Sequence, residues 1–533
     1  MARTYDETIR EITKEYLETS INVTNPPSPV DIQADLLDRL KAAFDVHNGQ
    51  NPEDKWKYIH NLIPAQIADI MLKLYDIAKI SYTGDNTDRE RDILAIYQND
   101  GENMGIYVED DSVLYKTAKK FRYSLSDKDF NEVRQILNRE APRKTRCNNK
   151  DLIAVNNGIF DYETKQLMSF DPDFVFVAKS KVNYYDDATN VKIHNFDDDT
   201  DWDVESWMEE LTDDPEVTNL LWQILGAVVR PNVPWNKAAW FYSEKGNNGK
   251  GTLCELMRQL CGSGTYASIP LSAFGQDFIL EQLINASAII VDENDVGTFI
   301  DKAANLKAVI TGDTICINRK HKAHVAYQFK GFMVQCLNEL PRIKDKSDSF
   351  FRRQIFVPFT KCFTGRERKY IKNDYLNRPE VLEYVLYKVL NMNYYEFDEP
   401  KSCTDALDAY KEYNDPIRQF CSDVLPDATW DLLPFTFLYD IYKEWFKRNA
   451  PSGIVVNSRA FQQEIKSVIN TNEDWTVPQN PQNKIRTSCL MEGDETLASE
   501  YGLAQWQRFA RKSMYSGIVR KNRKNNIPII VTK

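Results

Sequence analysis

No C-x-x-C pair occurs among the nine cysteines, and their scattered, odd-numbered spacing fits neither a zinc site nor a disulfide framework. Reduced thiols in an intracellular compartment follow from that usage. No run of 18 apolar residues exists and mean hydropathy is −0.52, which excludes a membrane-spanning helix. Glycine and proline number only 20 and 22 in 533 residues, so collagen-like and low-complexity chains are excluded. The opening MARTYDETIREITKEYLE lacks the apolar core of a secretory signal. Positive charge is short as well: 67 Lys+Arg face 79 Asp+Glu, a net charge of −12. Proteins that coat a duplex are usually basic, so bulk charge argues against a nucleic-acid partner unless local clusters outweigh it.

What is present is a 42% hydrophobic chain long enough for three or four cores. Residues 3–19 and 31–46 read as helices separated by Asn25-Pro26-Pro27-Ser28-Pro29, and a third helix is predicted over 64–80. Short alternating segments such as Ile106–Val108, Leu152–Val155 and Phe174–Val177, with a turn at Asn157-Gly158, predict mixed α/β structure over 83–190. The acidic run 197–216, opening Asp197-Asp198-Asp199, reads as a solvated, linker-like surface rather than a cation chelator. From 238 to 360 apolar strands alternate with helices, the pattern of a parallel sheet with crossover helices. Beyond 365 the chain reads as mostly helical, with strand-like pieces near 485–490 and 527–532. Its last stretch, 508–533, carries eight Lys/Arg and no acid.

The most informative window is Trp240 to Thr252. An apolar run leads into Glu244-Lys245-Gly246-Asn247-Asn248-Gly249-Lys250-Gly251-Thr252, and a helix with Leu253, Leu256, Met257 and Leu260 on one face follows. Strand, glycine loop and helix are what a phosphate cradle needs, because backbone N–H groups at the helix start point at the anion while a lysine reaches the β- and γ-phosphates. Gly246, Asn247, Asn248, Gly249, Lys250, Gly251 and Thr252 are therefore the candidate nucleotide-binding residues. The G-x-x-x-x-G-K-[ST] pattern is broken twice, by Glu244 at the first glycine and by Gly251 at the hydroxyl position. That leaves Thr252 as the hydroxyl on the Mg²⁺ side.

Ala288-Ile289-Ile290-Val291-Asp292-Glu293 is an apolar strand ending in two acids, 42 residues after Lys250. Asp292 suits Mg²⁺ through its water shell, and Glu293 suits orienting or deprotonating a water. A third strand, Phe332–Leu337, ends at Asn338, whose amide is placed to touch a γ-phosphate. Arg352-Arg353, before the strand Gln354–Phe359, suit transition-state charge on a neighbouring subunit's nucleotide, or else a surface ion pair.

In this order the pieces resemble the superfamily III DNA helicases of the phage/plasmid primase C-terminal, poxvirus-related type. Gly246–Thr252 match motif A, Ile290–Glu293 motif B, Leu306–Asp313 the segment between B and C, Leu337–Pro341 motif C, and Arg352-Arg353…Val357-Pro358-Phe359 the arginine-finger region. Leu152–Tyr185 and Trp207–Val229 are similar to the family's pre-helicase domain, and Asp415–Phe420 and Leu438–Trp445 to its winged-helix segment. The resemblance implies an α/β fold with an AAA+-like P-loop ATPase core. It also implies four parts: a helical arm at 1–90, a pre-helicase α/β domain at 91–230, the ATPase at 231–365 and a winged-helix-like DNA-binding region with a basic tail at 366–533. The implied activity is ATP- and Mg²⁺-dependent unwinding by a ring, commonly of six subunits, moving 3′→5′ on single-stranded DNA. A self-loading initiator of a phage, plasmid or mobile island, in bacterial cytoplasm, fits that reading. The implied partners are single-stranded and forked DNA, further copies of the chain, and a separate primase, polymerase or single-strand-binding protein, because the 90 residues ahead of the matched region are too few for a priming domain.

Between motifs B and C, Arg319, Lys320, His321 and Lys322 form the densest basic cluster of the ATPase region, at the tip of a hairpin predicted from Thr314–Cys316 and Val325–Tyr327. Such a tip suits a sequence-tolerant, salt-sensitive grip on DNA phosphates, and a solvated turn is the alternative. Ser458–Lys466 reads as an exposed helix, capped at Asn457 or Ser458, with Arg459, Gln462, Gln463 and Lys466 available to a groove. Two other functions share these motifs: a P-loop nucleotide kinase, and an origin-binding scaffold that holds ATP without turnover.

Overall fold

The computed structural model describes residues 3–83, 92–300, 303–320, 322, 324–449, 455–478, 484–486, 490–491, 493–506 and 514–521. The chain divides into two units, Met1–Asp345 with Arg352–Cys403 and Lys346–Phe351 with Thr404–Lys533.

In the first unit, helices α1 (Tyr5–Thr19), α2 (Pro29–Gln50) and α3 (Pro64–Leu74) open the chain. Thr4 and Ser28 cap the first two by accepting from Glu7 N and Asp31 N, and Pro29 and Pro64 sit in the first turns of α2 and α3, where no N–H is needed. The third helix stops well short of residue 80. Tyr75 turns extended, and Ile77–Ser81 becomes strand β1, buried along its whole length. β2 (Ile93–Tyr97), β3 (Tyr107–Val108), α4 (Asp111–Lys119), α5 (Asp127–Glu140) and β4 (Arg143–Thr145) follow. The sheet order is β3-β2-β1-β4, with β1 antiparallel to β2 and parallel to β4. A division at 90/91 would cut between the hydrogen-bonded neighbours β1 and β2. Helices α1–α5 share one core with this sheet, through Tyr16, Leu36, Ile67, Ile96, Phe121 and Leu137.

A meander comes next: β5 (Leu152–Val155), β6 (Gly158–Asp161) and β7 (Gln166–Met168), with Val155 opposite Gly158 across the Asn156-Asn157 turn. Phe174–Val177 forms no strand, although Val175 O and Phe176 O accept from Cys147 N and Tyr107 N. The acidic run is structured rather than a linker. It lies in the hairpin β8 (Ile193–Asn195)–β9 (Thr200–Trp202) and in α6 (Val204–Glu210), and Asp198 accepts from Tyr370 Oη at 2.7 Å. The apolar α7 (Pro215–Val229) then runs through the core.

The central layer is β10 (Ala238–Tyr242), α8 (Lys250–Cys261), β11 (Tyr266–Ala267), β12 (Ala288–Val291), β13 (Phe299–Ile300), α9 (Ala303–Thr311), β14 (Thr314–Ile317), β15 (Val325–Gln328), β16 (Phe332–Leu337), β17 (Arg342–Ile343) and, past α10 (Asp348–Phe351), β18 (Gln354–Pro358). Five strands in the order β11-β12-β16-β10-β18 are parallel throughout, which confirms the parallel α/β core. Their side chains are buried on both faces, as parallel strands with crossovers require. β14 and β15 form the predicted hairpin, with Ile317 opposite Val325. α11 (Lys369–Asn373), α12 (Pro379–Asn391) and the start of α13 (Lys401–Asn414) complete the unit.

The second unit holds α10, most of α13, α14 (Pro416–Val424), β19 (Leu432–Pro434), α15 (Phe435–Asn449), α16 (Ser458–Asn470), β20 (Trp475–Thr476), β21 (Lys484–Arg486), α17 (Thr496–Glu500) and β22 (Met514–Arg520). β22 lies between β19 and β20 and also pairs with β21. Part of the expected basic tail is thus the middle of a sheet. Arg520 is committed there, paired with Asp431 at 3.2 Å and lying over Trp475. The predicted strand at 527–532 falls outside the described residues.

Candidate active site

Lys250 opens α8 and is buried at 4% exposure. Its Nζ donates to Asn338 Oδ1 at 3.0 Å, to Leu337 O at 3.2 Å and to Ser243 O at 3.5 Å. The loop lysine and the amide predicted at the end of β16 therefore meet, because β10 and β16 are parallel neighbours whose ends stop together (Tyr242 opposite Leu337). Burial pulls the Lys250 ammonium below the ordinary lysine pKa, while the charges of Cys336, Asp292 and Cys254 oppose the shift. An anion in the loop would offset that burial.

The loop owes its shape to two left-handed residues, Asn247 (φ 54°) and Gly249 (φ 87°). At Gly249 a Cβ would lie 2.5 Å from Leu211 Cδ2, so only glycine fits. Asn248 is buried, and its side chain closes the loop on itself, donating to Lys245 O and accepting from Lys250 N. Asn247 instead reaches outward to Thr364 Oγ1 at 3.2 Å and Glu367 Oε1 at 3.1 Å, while its carbonyl accepts from Phe363 N at 2.7 Å. Among the described residues, the backbone N–H groups of Gly249, Gly251 and Thr252 meet no acceptor, as expected at a helix start.

Gly251 explains the broken pattern. A Cβ at this position would sit 2.9 Å from Asp292 Oδ1, so the carboxylate occupies the space where the usual residue would stand. Asp292, at the end of β12, thus lies against the first turn of α8, with Arg258 Nη1 3.9 Å from Oδ2. Glu293 next to it is exposed. The donor set of Asp292, the Thr252 hydroxyl and exposed backbone N–H groups beside a lysine fits a Mg²⁺-bound polyphosphate.

Arg352 and Arg353 are not brought to this cradle. They precede β18, beside Ala238 at the start of β10, whereas Lys250 follows its end. A five-residue strand separates the two places, roughly 16 Å by strand rise.

Several functional candidates escaped sequence reasoning. A cavity of about 250 Å³ adjoins the loop and is lined by Asn247, Gly249 and Thr252 together with Trp207, Leu211, Phe363, Arg366 and Arg368. Arg368 pairs with Glu210, and Lys361 with Asp213 at 2.9 Å, tying this wall to α6 and the turn after it. Asn294 was also missed. It is buried, donates to Gln335 Oε1 and Cys336 O at 3.0 Å each, and accepts from Leu271 N. The cluster of aromatic and basic residues at 363–369 is the one sequence signal that could have marked the wall.

The hairpin tip differs from its expected state. Arg319 has a side chain only 8% exposed and is held by Glu109 at 2.8 Å and Glu281 at 3.4 Å. Lys322 pairs with the same Glu109 at 2.9 Å. These cations are thus engaged within the chain; Lys320 is exposed, and His321 lies outside the described residues. In the second unit Asn457 caps α16, accepting from Arg459 N and Ala460 N, and leaves Arg459 and Gln463 exposed.

Three family profiles match the chain: D5 N terminal like over residues 39–209, a family of unknown function (DUF5906) over 241–353, and Poxvirus D5 protein-like over 412–493. Two of these three profiles are D5 profiles, and over those residues the chain is similar to D5-like proteins. The first match runs across residues 90 and 91, in keeping with the single sheet there. The chain is also 24% identical over 335 residues to the protein named "Putative helicase L207/L206" of Acanthamoeba polyphaga mimivirus, covering 56% of the chain but 33% of that relative. It spans about a third of that relative's length. Solved structures of the NrS-1 C-terminal region are similar to this chain at 15% and 16% identity, with TM-scores of 0.40 and 0.41, covering 86% and 84% of it and 99% and 94% of theirs. Among the described residues no helix is long and apolar enough to cross a membrane.

Proposed function

We propose that this protein is a replicative DNA helicase that hydrolyses ATP with Mg²⁺, with an AAA+-like core of the superfamily III type. The observation that carries the reading is the convergence of Lys250, Asn338 and Asp292 on a helix start whose N–H groups are open. In this reading Lys250 and the N–H groups of Gly249, Gly251 and Thr252 hold the β- and γ-phosphates. Asp292 and the Thr252 hydroxyl hold Mg²⁺, which neutralises phosphate charge when bound. Glu293 orients and deprotonates the attacking water, and Asn338, already bonded to Lys250, reports the γ-phosphate to β16. The base lies in the cavity between Trp207 and Phe363.

Arg352 and Arg353, a strand length from their own cradle, serve the site of a neighbouring copy in a ring of about six subunits. Lys320 and Lys322, the latter once released from Glu109, grip one DNA strand as the ring moves 3′→5′. The second unit, through the exposed face of α16, contacts duplex near a start site and supports self-loading of the helicase of a phage, plasmid or mobile island.

Three measurements test this. ATP hydrolysis should rise with protein concentration and with single-stranded DNA, and fall by about 10²–10³-fold in Lys250→Ala. Wild-type protein without hydrolysis would leave the non-hydrolysing scaffold, and ADP formation that depends on a nucleoside monophosphate would leave the kinase. Mixing an Arg352→Ala/Arg353→Ala variant with Glu293→Gln should restore activity that neither has alone; no rescue at any ratio sinks the shared site.

A further inference from the structure

The floor of the cradle carries a second constellation, which shares Asp292 with the phosphate site and adds two thiols that phosphate chemistry does not use. Cys254 lies on α8, one turn past Lys250, and Cys336 lies near the end of β16. Both are buried, at 0% and 1% exposure, with their Sγ atoms 3.3 Å apart. Asp292 completes the group: one carboxylate oxygen and the two sulfurs all lie within 4.8 Å of one another. Three elements that the fold brings together from separate parts of the chain thus place three potential ligands around one point. Gly251 allows this approach, since a Cβ there would press on Asp292 Oδ1 at 2.9 Å and displace the carboxylate.

We propose that Cys254, Asp292 and Cys336 form a binding site for a thiophilic divalent cation of the Zn²⁺ or Cd²⁺ kind. Two sulfurs and one carboxylate match the ligand preference of Zn²⁺ and leave a fourth position for water, whereas Mg²⁺ prefers oxygen alone. Charge supports the assignment. Lys250 lies close enough to Cys336 and Asp292 to interact with both. One dication, one ammonium, two thiolates and one carboxylate sum to zero, which a buried site requires. The ion displaces two thiol protons to solvent, so no oxidant or reductant takes part. Asp292 is the solvent-side ligand, half-open to the cradle, and gives the ion its way in. An ion held here draws on the Asp292 carboxylate and adds positive charge beside it, and so competes with Mg²⁺ at the adjacent position. That consequence rests on the nucleotide reading above, whereas the site itself does not.

The test uses the full chain, reduced with a phosphine and titrated with Cd²⁺, following the thiolate-to-cadmium charge-transfer band. Wild type should hold one more tightly bound ion per chain than Cys254→Ser/Cys336→Ser. Cys316→Ser/Cys362→Ser, at two exposed thiols, should keep that ion. Asp292→Asn leaves both thiols in place and should weaken Cd²⁺ binding at least about tenfold, the loss that even an outer-shell change produces. It therefore decides the matter if the buried double variant fails to fold. Equal uptake by wild type and the folded double variant, a lost ion that tracks Cys316 or Cys362, or unaltered binding by Asp292→Asn would each overturn the proposal. Zn²⁺ should inhibit ATP hydrolysis by wild type more than by Cys254→Ser/Cys336→Ser. An ion bound to wild type that never hydrolyses ATP would remove the nucleotide reading and leave the metal site standing.

Discussion

The phosphate loop and the hairpin tip are both short turns that follow a strand of the first unit, and both stand out in the sequence by their polar residues. They fare differently in the fold. The loop is shaped by demands on its own backbone, left-handed at Asn247 and Gly249, so its residues state their role locally. The tip is shaped by what faces it: Glu109 and Glu281, far away in sequence, take up Arg319 and Lys322. A glycine pattern encodes geometry, whereas a run of cations encodes only that an anion must be found, inside the chain or outside it.

The comparison can be broken at its strongest point first. Lys250→Ala should lower ATP hydrolysis by about 10²–10³-fold, the usual cost of one electrostatic donor at a reacting phosphate or carbonyl, with the circular dichroism spectrum unchanged. A smaller loss would mean that the loop's other donors suffice. Next, Arg319→Ala removes the cation shared by Glu109 and Glu281, leaving Glu109 to Lys322 alone, and should destabilise the first unit by about 2 kcal/mol in urea unfolding. A neutral result would show that the tip is not held by these pairs. The complementary Glu109→Gln should free Lys322 and steepen the salt dependence of single-stranded DNA binding by about one unit of log–log slope.

Gly251→Ala sharpens the contrast from the loop side. The added Cβ has to move Asp292, so about 1 kcal/mol of stability and a larger share of Mg²⁺-dependent activity should be lost together. The smallest effect is expected from Lys320→Ala. Stability should stay within about 0.5 kcal/mol, and the salt slope of DNA binding should fall by about one if this exposed lysine meets a phosphate.

These two regions also mark how far the sequence could be read. The β10–loop–α8 unit, the acids after β12, the amide after β16, the parallel sheet and the β14–β15 hairpin all follow from local pattern, and each is present. What failed depended on distant neighbours. The predicted third helix runs into β1 because β2 and β4 offer Ile77–Ser81 a sheet, which helical periodicity cannot show. The acidic run at 197–216 looks like linker until Tyr370 and other residues far along the chain are packed against it. The wall of Phe363, Arg366 and Arg368 joins the loop only through contacts that span more than a hundred residues, such as Asn247 to Thr364. Asn294 offered no pattern at all, yet it ties β16 to the segment at Leu271.

One feature of the second unit bears on how the protein is made. β22 is the last described strand in the chain, yet it occupies the middle of its sheet, and β19 and β20 touch it rather than each other. During synthesis both strands therefore wait with bare edges until residues 514–520 have left the ribosome, while the first unit already has all its parts. A premature stop shortly before Met514 exposes two strand edges at once, the kind of surface on which chains aggregate.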